Sequence, residues 1–310
     1  MSTVIMHNNF KKLTSIINKQ NKPKILSRKI SDSVEYCASS VKKNDYENYI
    51  CTLLLKNTAR SCAFAVRSFN VEVARVAEQV SQANTGQMRL KFWEETIDKC
   101  LKGNTVPNHP VAIEIYKANI RKKLSKRYFI NLISSRLNSL KLTSFNTLDE
   151  MEKYAEQSTS NVLYLVLEGS GVQNIEADHA ASHLGKAQGI IQQLRSIPHA
   201  KHLNFISIPQ EILVKNKVSQ EEVIRGKTSE RLSECTFEIA SRAHQHLVKA
   251  RSLSEKVPKE GKSALLPAVP VSIYLDRLQQ VDYDVFHPSL KHRSWKFLPQ
   301  VWISDFRNKY

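Results

Sequence analysis

The side chains with the clearest capacity for chemistry lie between Glu176 and Arg195. Asp178, His179 and His183 fall in this stretch, and histidines four positions apart share one face of a helix. Two imidazoles in that arrangement could hold a metal ion. However, no HExxH glutamate lies between them, and the sequence offers no third ligand nearby. Capping or packing is the commoner role for such residues, so we predict neither a metal nor a cofactor from this pattern.

The same stretch carries a stripe of small residues at steps of four, namely Ala177, Ala181, Gly185 and Gly189. Small side chains let a neighbouring helix backbone or a flat ligand approach closely. Tight helix packing is the commoner use of such a stripe, and the floor of an apolar cavity is the alternative. The sequence leaves both interpretations open.

Composition argues against several classes of site. The 310 residues include only 8 glycines, with no GxGxxG and no GxxxxGK[ST] motif, which argues against a nucleotide-binding α/β fold. The 5 cysteines are dispersed without a CxxC pair, which argues against a zinc site or a disulfide framework. No apolar run approaches the roughly 18 residues that a membrane-spanning helix needs.

The formal charge of +17 is unevenly distributed. Residues 1–31 contain seven lysines and arginines and no acidic residue. A basic, acid-free N-terminus is typical of a mitochondrial presequence, and a disordered basic tail is the alternative. We predict a presequence over residues 1–31 and a single domain over residues 32–310. Subtracting the seven charges of residues 1–31 from +17 leaves +10 on the rest of the chain. Such an excess of positive charge could serve nucleic-acid binding, but no finger, RNP-like or recognition-helix pattern supports that function.

Apolar periodicity predicts an all-α fold of long amphipathic helices. The clearest helix lies at about residues 58–81, where apolar side chains recur at spacings of three and four. A short extended patch is predicted at residues 202–208, a capping box at Ser219 and Glu222, and a linker at residues 256–267. Further helices are predicted at about residues 86–101, 109–120, 126–140, 148–167, 176–195, 229–256, 269–278 and 295–307.

Three short motifs resemble the second signature of squalene/phytoene synthases. They are Leu184-Gly185-x-Ala187, Leu194-Arg195 and Ile208-Pro209-x-Glu211. An upstream helix resembles the first signature, and the resemblance covers most of residues 34–305. It implies a single isoprenoid-synthase-like helical bundle. In that family, aspartates on two facing helices hold magnesium ions, which bind the diphosphate leaving group.

The acidic residues of both signatures are largely missing here. By the resemblance, the first signature keeps one acid of three and falls on Ala74, Arg75 and Glu78. The second keeps none and falls on Ser196, His199 and Ala200. Pro198 also interrupts the helix that would present those acids. A single glutamate beside an arginine is a poor magnesium site, so the resemblance implies a non-catalytic homologue.

Other segments resemble one branch of the family, the mitochondrial assembly factors of respiratory complex I. These segments are residues 69–76, 86–93, 109–112, 177–183 and 284–289. The resemblance implies action at the matrix face of the inner membrane, with a nascent membrane-arm subunit or an assembly intermediate as the partner. Two alternatives stay open: a protein that binds an isoprenoid or another lipid, and a prenyltransferase with an atypical metal site.

The C-terminal residues 291–310 combine basic and aromatic side chains, with five lysines and arginines against one acid, Asp305. Basic residues beside Trp and Phe suit an anionic membrane surface. The predicted contact residues are Trp295, Lys296, Phe297, Trp302 and Phe306. The alternative is that these aromatic residues dock the last helix on the core.

Overall fold

Several helices of this protein begin at a side chain that caps free backbone N–H groups or end at a glycine. Asn174 accepts a hydrogen bond from the backbone N–H of Ala177, and Gly171 ends the preceding helix in the left-handed conformation. The computed structural model describes residues 28–80, 82–103 and 105–310. The predicted presequence lies outside this part of the chain, except for residues 28–31, which begin the first helix.

The first half of the chain packs around an aromatic core. Phe69 meets both Trp93 and Phe129 edge to face, with ring centroids 5.5 and 5.3 Å apart. The predicted 58–81 helix is divided at Arg75 into two helices. In chain order the helices are α1 (Arg28–Asn44), α2 (Tyr46–Leu53), α3 (Asn57–Ala74), α4 (Val76–Gln79), α5 (Ala83–Lys102), α6 (Pro110–Arg121) and α7 (Lys126–Ser139).

The second half is organised around one long central helix, α10. It packs against α14, α16 and the α8–α9 helix, and Leu184, Ile190 and Leu194 on it are fully buried. Helix α8 continues into α9 through a π-helical turn at Glu156–Ser160. The helices are α8 (Leu148–Ala155), α9 (Asn161–Ser170), α10 (Ile175–Ser196), α11 (Ala200–Leu203), α12 (Gln210–Lys215), α13 (Gln220–Ile224), α14 (Glu230–Ser252), α15 (Lys259–Lys262), α16 (Ala268–Gln279) and α17 (Phe297–Phe306).

The all-α prediction is confirmed, and two local predictions are wrong. The described residues contain no β-strand, and the predicted extended patch reduces to one bridge between Ser144 and Ile206. Residues 202–203 are helical instead, and the chain then turns at Asn204, which has a left-handed φ of 49°. The predicted linker is also part of the core, because a tight turn buries Leu265 and Leu266 completely. The predicted capping box at Ser219 is present.

A charged network joins α8, α10 and α14 around Glu152. Its carboxylate lies 2.7 Å from Arg242 Nη1, 3.1 Å from Lys186 Nζ and 3.1 Å from His246 Nε2. Burial alone would raise the pKa of Glu152. The hydrogen bonds from His246, Arg242 and Lys186 outweigh burial and lower the pKa from 4.5 to about 2.

Replacing Glu152 by glutamine should lower the free energy of unfolding by about 2 kcal/mol at neutral pH. Because the folded state depresses this pKa, its contribution is complete above about pH 4.5 and is lost as the pH falls towards 2. The difference between the wild type and Glu152→Gln should therefore shrink in acid. Urea unfolding at several pH values measures it. Glu234→Gln, an exposed position on α14, is the matched control. A difference that is constant with pH would contradict the assignment.

Candidate functional site

Helices α3 and α10 end at a shared cleft of about 430 Å³. Ala74 at the end of α3 and Ser196 at the end of α10 lie on its walls. The remaining walls come from α4, from the start of α5, from the end of α7 with the loop after it, from Tyr154 on α8, and from residues 203–205. The two signature helices therefore still meet at one cavity.

Three of the six signature positions line this cleft, namely Ala74, Glu78 and Ser196. The hydroxyl of Ser196 donates to the backbone oxygen of Gln193 at 2.7 Å and also hydrogen-bonds the hydroxyl of Ser207. Arg75, His199 and Ala200 are not among the lining residues. Pro198 lies in a 3₁₀ turn, Ile197–His199, in which His199 is exposed; Ala200, the first residue of α11, is buried.

The donor set of the cleft does not fit magnesium. Glu78 is the one carboxylate among its lining residues, and its side chain is exposed. Magnesium requires near-octahedral oxygen coordination, which proteins supply through carboxylates together with waters and substrate phosphates. Across the described part of the chain, no three His, Cys, Asp or Glu side chains lie close enough together to hold a metal ion. We therefore derive no reaction step through magnesium.

The walls of the cleft are polar and apolar in about equal measure, and the apolar part is built on aromatic and leucine side chains. Phe145 packs edge to face on Phe205, with centroids 5.2 Å apart, and leans on Tyr154 at 5.6 Å. Leu142 and Leu203 on the lining are 43% and 40% exposed. The cleft can therefore accept an apolar group, with Glu78 and Lys141 as its charged lining residues.

A buried arginine of α7, Arg136, connects this helix by hydrogen bonds to α3 and to the π-helical turn. Its Nη2 donates to Asn70 Oδ1 at 2.7 Å and to the backbone oxygen of Ser158 at 3.1 Å. Burial lowers the pKa of this guanidinium, and none of its recorded hydrogen bonds goes to a carboxylate. The sequence did not predict that Arg136 is buried, because an arginine in an amphipathic helix is normally expected on the face exposed to solvent.

The small-residue stripe lies away from the cleft, against the π-helical turn. A Cβ atom added at Gly185 would lie 2.4 Å from the Cα of Ser160, and one added at Gly189 would lie 2.5 Å from the Cβ of Ala155. Ala177 and Ala181 are fully buried as well. The α8–α9 helix packs directly on Gly185 and Gly189, so this part of the stripe serves helix packing.

The two histidines of α10 have different surroundings. His183 Nδ1 lies 2.9 Å from His246 Nδ1 on α14, and burial followed by the neighbouring His246 lowers the pKa of His183. His179 is exposed. His183 therefore belongs to the Glu152 network, where it contacts another imidazole.

The C-terminal helix α17 presents one buried and one exposed face. Phe297 is only 5% exposed and packs with Val301 in a small cluster that includes Leu266 and Val269. Its prediction as a membrane contact is wrong, because it anchors the helix to the core. Among the described helices, none is both long enough and apolar enough to cross a bilayer.

The exposed face carries the other predicted contacts. Trp295 is 80% exposed and Phe306 is 66% exposed, and Lys296 is exposed too. The ring of Trp302 stacks on Phe306 with centroids 5.8 Å apart. Asp305 accepts a hydrogen bond from Ser263 at 2.9 Å. This face thus combines apolar rings with cations.

Comparison with known proteins agrees with the geometry. Residues 41–296 match the pattern of squalene/phytoene synthase. The chain belongs to the squalene/phytoene synthase family. The family resemblance predicted from the motifs is therefore confirmed, and so is the helical fold. The squalene synthase HpnC from Alicyclobacillus acidocaldarius superimposes with a TM-score of 0.72 at 16% identity, covering 81% of this chain and 95% of that one.

Two relatives within this family are considerably more similar in sequence. A Bos taurus protein named NADH dehydrogenase (ubiquinone) complex I, assembly factor 6, is 40% identical over 280 residues, covering 90% of this chain and 84% of its own. The Drosophila melanogaster homologue of that factor is 41% identical over 282 residues, covering 89% and 84%. This squalene/phytoene synthase family member thus lies nearer to the assembly factors than to the synthase HpnC.

Proposed function

We propose that this protein is a non-catalytic assembly factor for mitochondrial respiratory complex I. The observation that carries the proposal is the 40% identity, over 90% of the chain, to a relative named as such a factor. The cleft supports this proposal independently. The catalytic site of the family uses several carboxylates, and among the described residues only one carboxylate, that of Glu78, lines the cleft of this protein. Without magnesium to stabilise a departing diphosphate, the scaffold remains available for binding rather than for catalysis.

The proposed site of action is the matrix face of the inner membrane, on an early membrane-arm intermediate. Leu298 and Phe306 on the exposed face of α17, and Trp295 just before this helix, support peripheral contact because each is more than half exposed. The basic residues around them suit an anionic bilayer surface. These are Lys291, Arg293, Lys296, Arg307 and Lys309. The basic composition of residues 1–31, read as a presequence, agrees with import into mitochondria.

Loss of this protein from cells should lower assembled complex I while the other respiratory complexes keep their levels. Native gels of mitochondria from knockout cells, probed for each complex, measure this. Re-expression of the wild type should restore complex I, and re-expression of Glu78→Gln should restore it equally if the cleft carboxylate has no chemical role. An unchanged level of complex I in the knockout would refute the proposal.

A second candidate function, lipid binding, is favoured by the apolar side chains that line part of the cleft. An isoprenoid or acyl chain could lie against Phe145, Phe205 and Leu142. Mass spectrometry of the protein under native conditions would detect a co-purifying lipid. Ala77→Trp, which narrows the cleft, should abolish that signal, whereas Ser39→Trp, at an exposed position of α1 that does not line the cleft, should leave it unchanged.

A further inference from the structure

Three arginines converge at a small recess beside the start of α17. Arg195 comes from α10, Arg277 from α16 and Arg293 from the segment before α17. Glu47 is the one carboxylate among the lining residues. The recess therefore joins three cations and one anion, a net charge of +2.

The arginines differ in how far their charges are compensated. Arg195 donates to both carboxylate oxygens of Glu47 at 2.6 and 3.1 Å. Arg277 donates to the backbone oxygens of His292, at 2.8 Å, and Ser289. The Arg293 guanidinium lies over the ring of Tyr46, 3.9 Å from its centroid. In the described part of the chain no ion pair is recorded for Arg277 or Arg293, so both retain charge for an external anion.

The recess adjoins the exposed face of α17. Ser294 and Phe297 line it, and between them in the sequence comes Trp295, which is 80% exposed. The recess itself measures only about 20 Å³, so a phosphate would be held at its mouth, where Ser294 directly precedes the exposed Trp295. Guanidinium groups bind phosphate oxygens in a bidentate manner, and Trp rings favour the headgroup level of a membrane.

We propose that the recess formed by Arg195, Arg277 and Arg293 binds the phosphate of an anionic phospholipid, while Trp295 and Leu298 enter the acyl region beside it. The proposal rests on the peripheral membrane contact proposed above and names the lipid class that the contact selects. The recess has a charge of +2 and lies beside an apolar face. A phospholipid matches both features, with its phosphate at the recess and its acyl chains at the apolar face, whereas a soluble anion matches only the charge.

Co-sedimentation of the full chain with phosphatidylcholine vesicles, with and without cardiolipin, tests this inference. Arg293→Gln should weaken partitioning into cardiolipin vesicles by about 5-fold, the effect of one cation near an anionic surface. Glu47→Gln, which removes the single acid, should strengthen it by about the same factor. Lys91→Gln on α5, an exposed cation of a helix with no recorded packing on α16 or α17, is the matched control and should leave partitioning unchanged.

The outcomes separate this inference from the proposed function. Failure of the wild type to bind either kind of vesicle would overturn the membrane contact itself. Binding of the wild type that neither Arg293→Gln nor Glu47→Gln alters would overturn the headgroup site alone. Inorganic phosphate is added as a competitor and is expected to have little effect. If phosphate added at constant ionic strength displaced the protein fully from the vesicles, the recess would be a site for a soluble anion, and the lipid assignment would be overturned.

Discussion

Replacing Gly185 by alanine should lower the free energy of unfolding by about 3 kcal/mol. The added Cβ atom would lie 2.2 to 2.5 Å from three atoms of Ser160, two of which are backbone. Backbone atoms of a packed helix cannot move aside cheaply, so α10 would have to separate from the π-helical turn. The higher helix propensity of alanine, about 1 kcal/mol, offsets only part of this cost.

Gly86→Ala is the matched control, because Gly86 is also a buried helical glycine. The three atoms nearest to a Cβ atom there are side-chain methyl groups of Leu140 and Val80, at 3.1 to 3.3 Å. Those groups can rotate, so we expect a change below about 1 kcal/mol. Chemical denaturation of both variants gives the comparison. Equal stabilities for Gly185→Ala and the wild type would mean that the two helices do not pack this closely.

Replacing Trp295, Leu298 and Phe306 together by serine should weaken vesicle binding by about 100-fold. Their exposed fractions are 80%, 52% and 66%. Inserting one such side chain, already partly covered by protein, contributes about 1 kcal/mol to the free energy of membrane binding. The three together contribute about 3 kcal/mol, which corresponds to an affinity change of about 100-fold. Because these side chains contribute little to the core, the triple variant should keep the unfolding midpoint of the wild type.

Met88→Ser with Phe92→Ser is the control for that experiment. Both side chains are exposed on α5, at 74% and 51%, and α5 has no recorded packing on α17. If removal of exposed apolar groups lowered binding non-specifically, this pair would weaken it as well. An α17 variant that binds as the wild type does would contradict the membrane role of this face.

The positions of the helices and of the cleft could be predicted because they rest on local patterns. The spacing of apolar residues located α5, α6, α7 and α10 to within a few residues. The motif alignment placed Ala74, Glu78 and Ser196, which the fold brings together in one cleft. The order of the motifs and the lengths of their helices were sufficient to place these residues, because the family fold brings the ends of both helices to the same cleft.

Features that depend on tertiary contacts could not be predicted. The same aromatic pattern in α17 places Phe297 in the core and Phe306 at the surface, since only the partners of each face distinguish them. The recess of Arg195, Arg277 and Arg293 joins residues far apart in the sequence. The π-helical turn against Gly185 has no local signature, so the sequence favoured helix packing for the stripe without identifying the helix that packs there.

We propose that this protein has lost magnesium–diphosphate chemistry and has kept the cleft in which its family carries it out. The most direct test is to incubate the purified protein with magnesium and farnesyl or geranylgeranyl diphosphate and to measure diphosphate release. A catalytically competent synthase of this family is the positive control. We predict release no faster than in buffer, because Glu78 is the one carboxylate lining the cleft. Magnesium-dependent release with multiple turnovers, abolished by Glu78→Gln, would contradict the account.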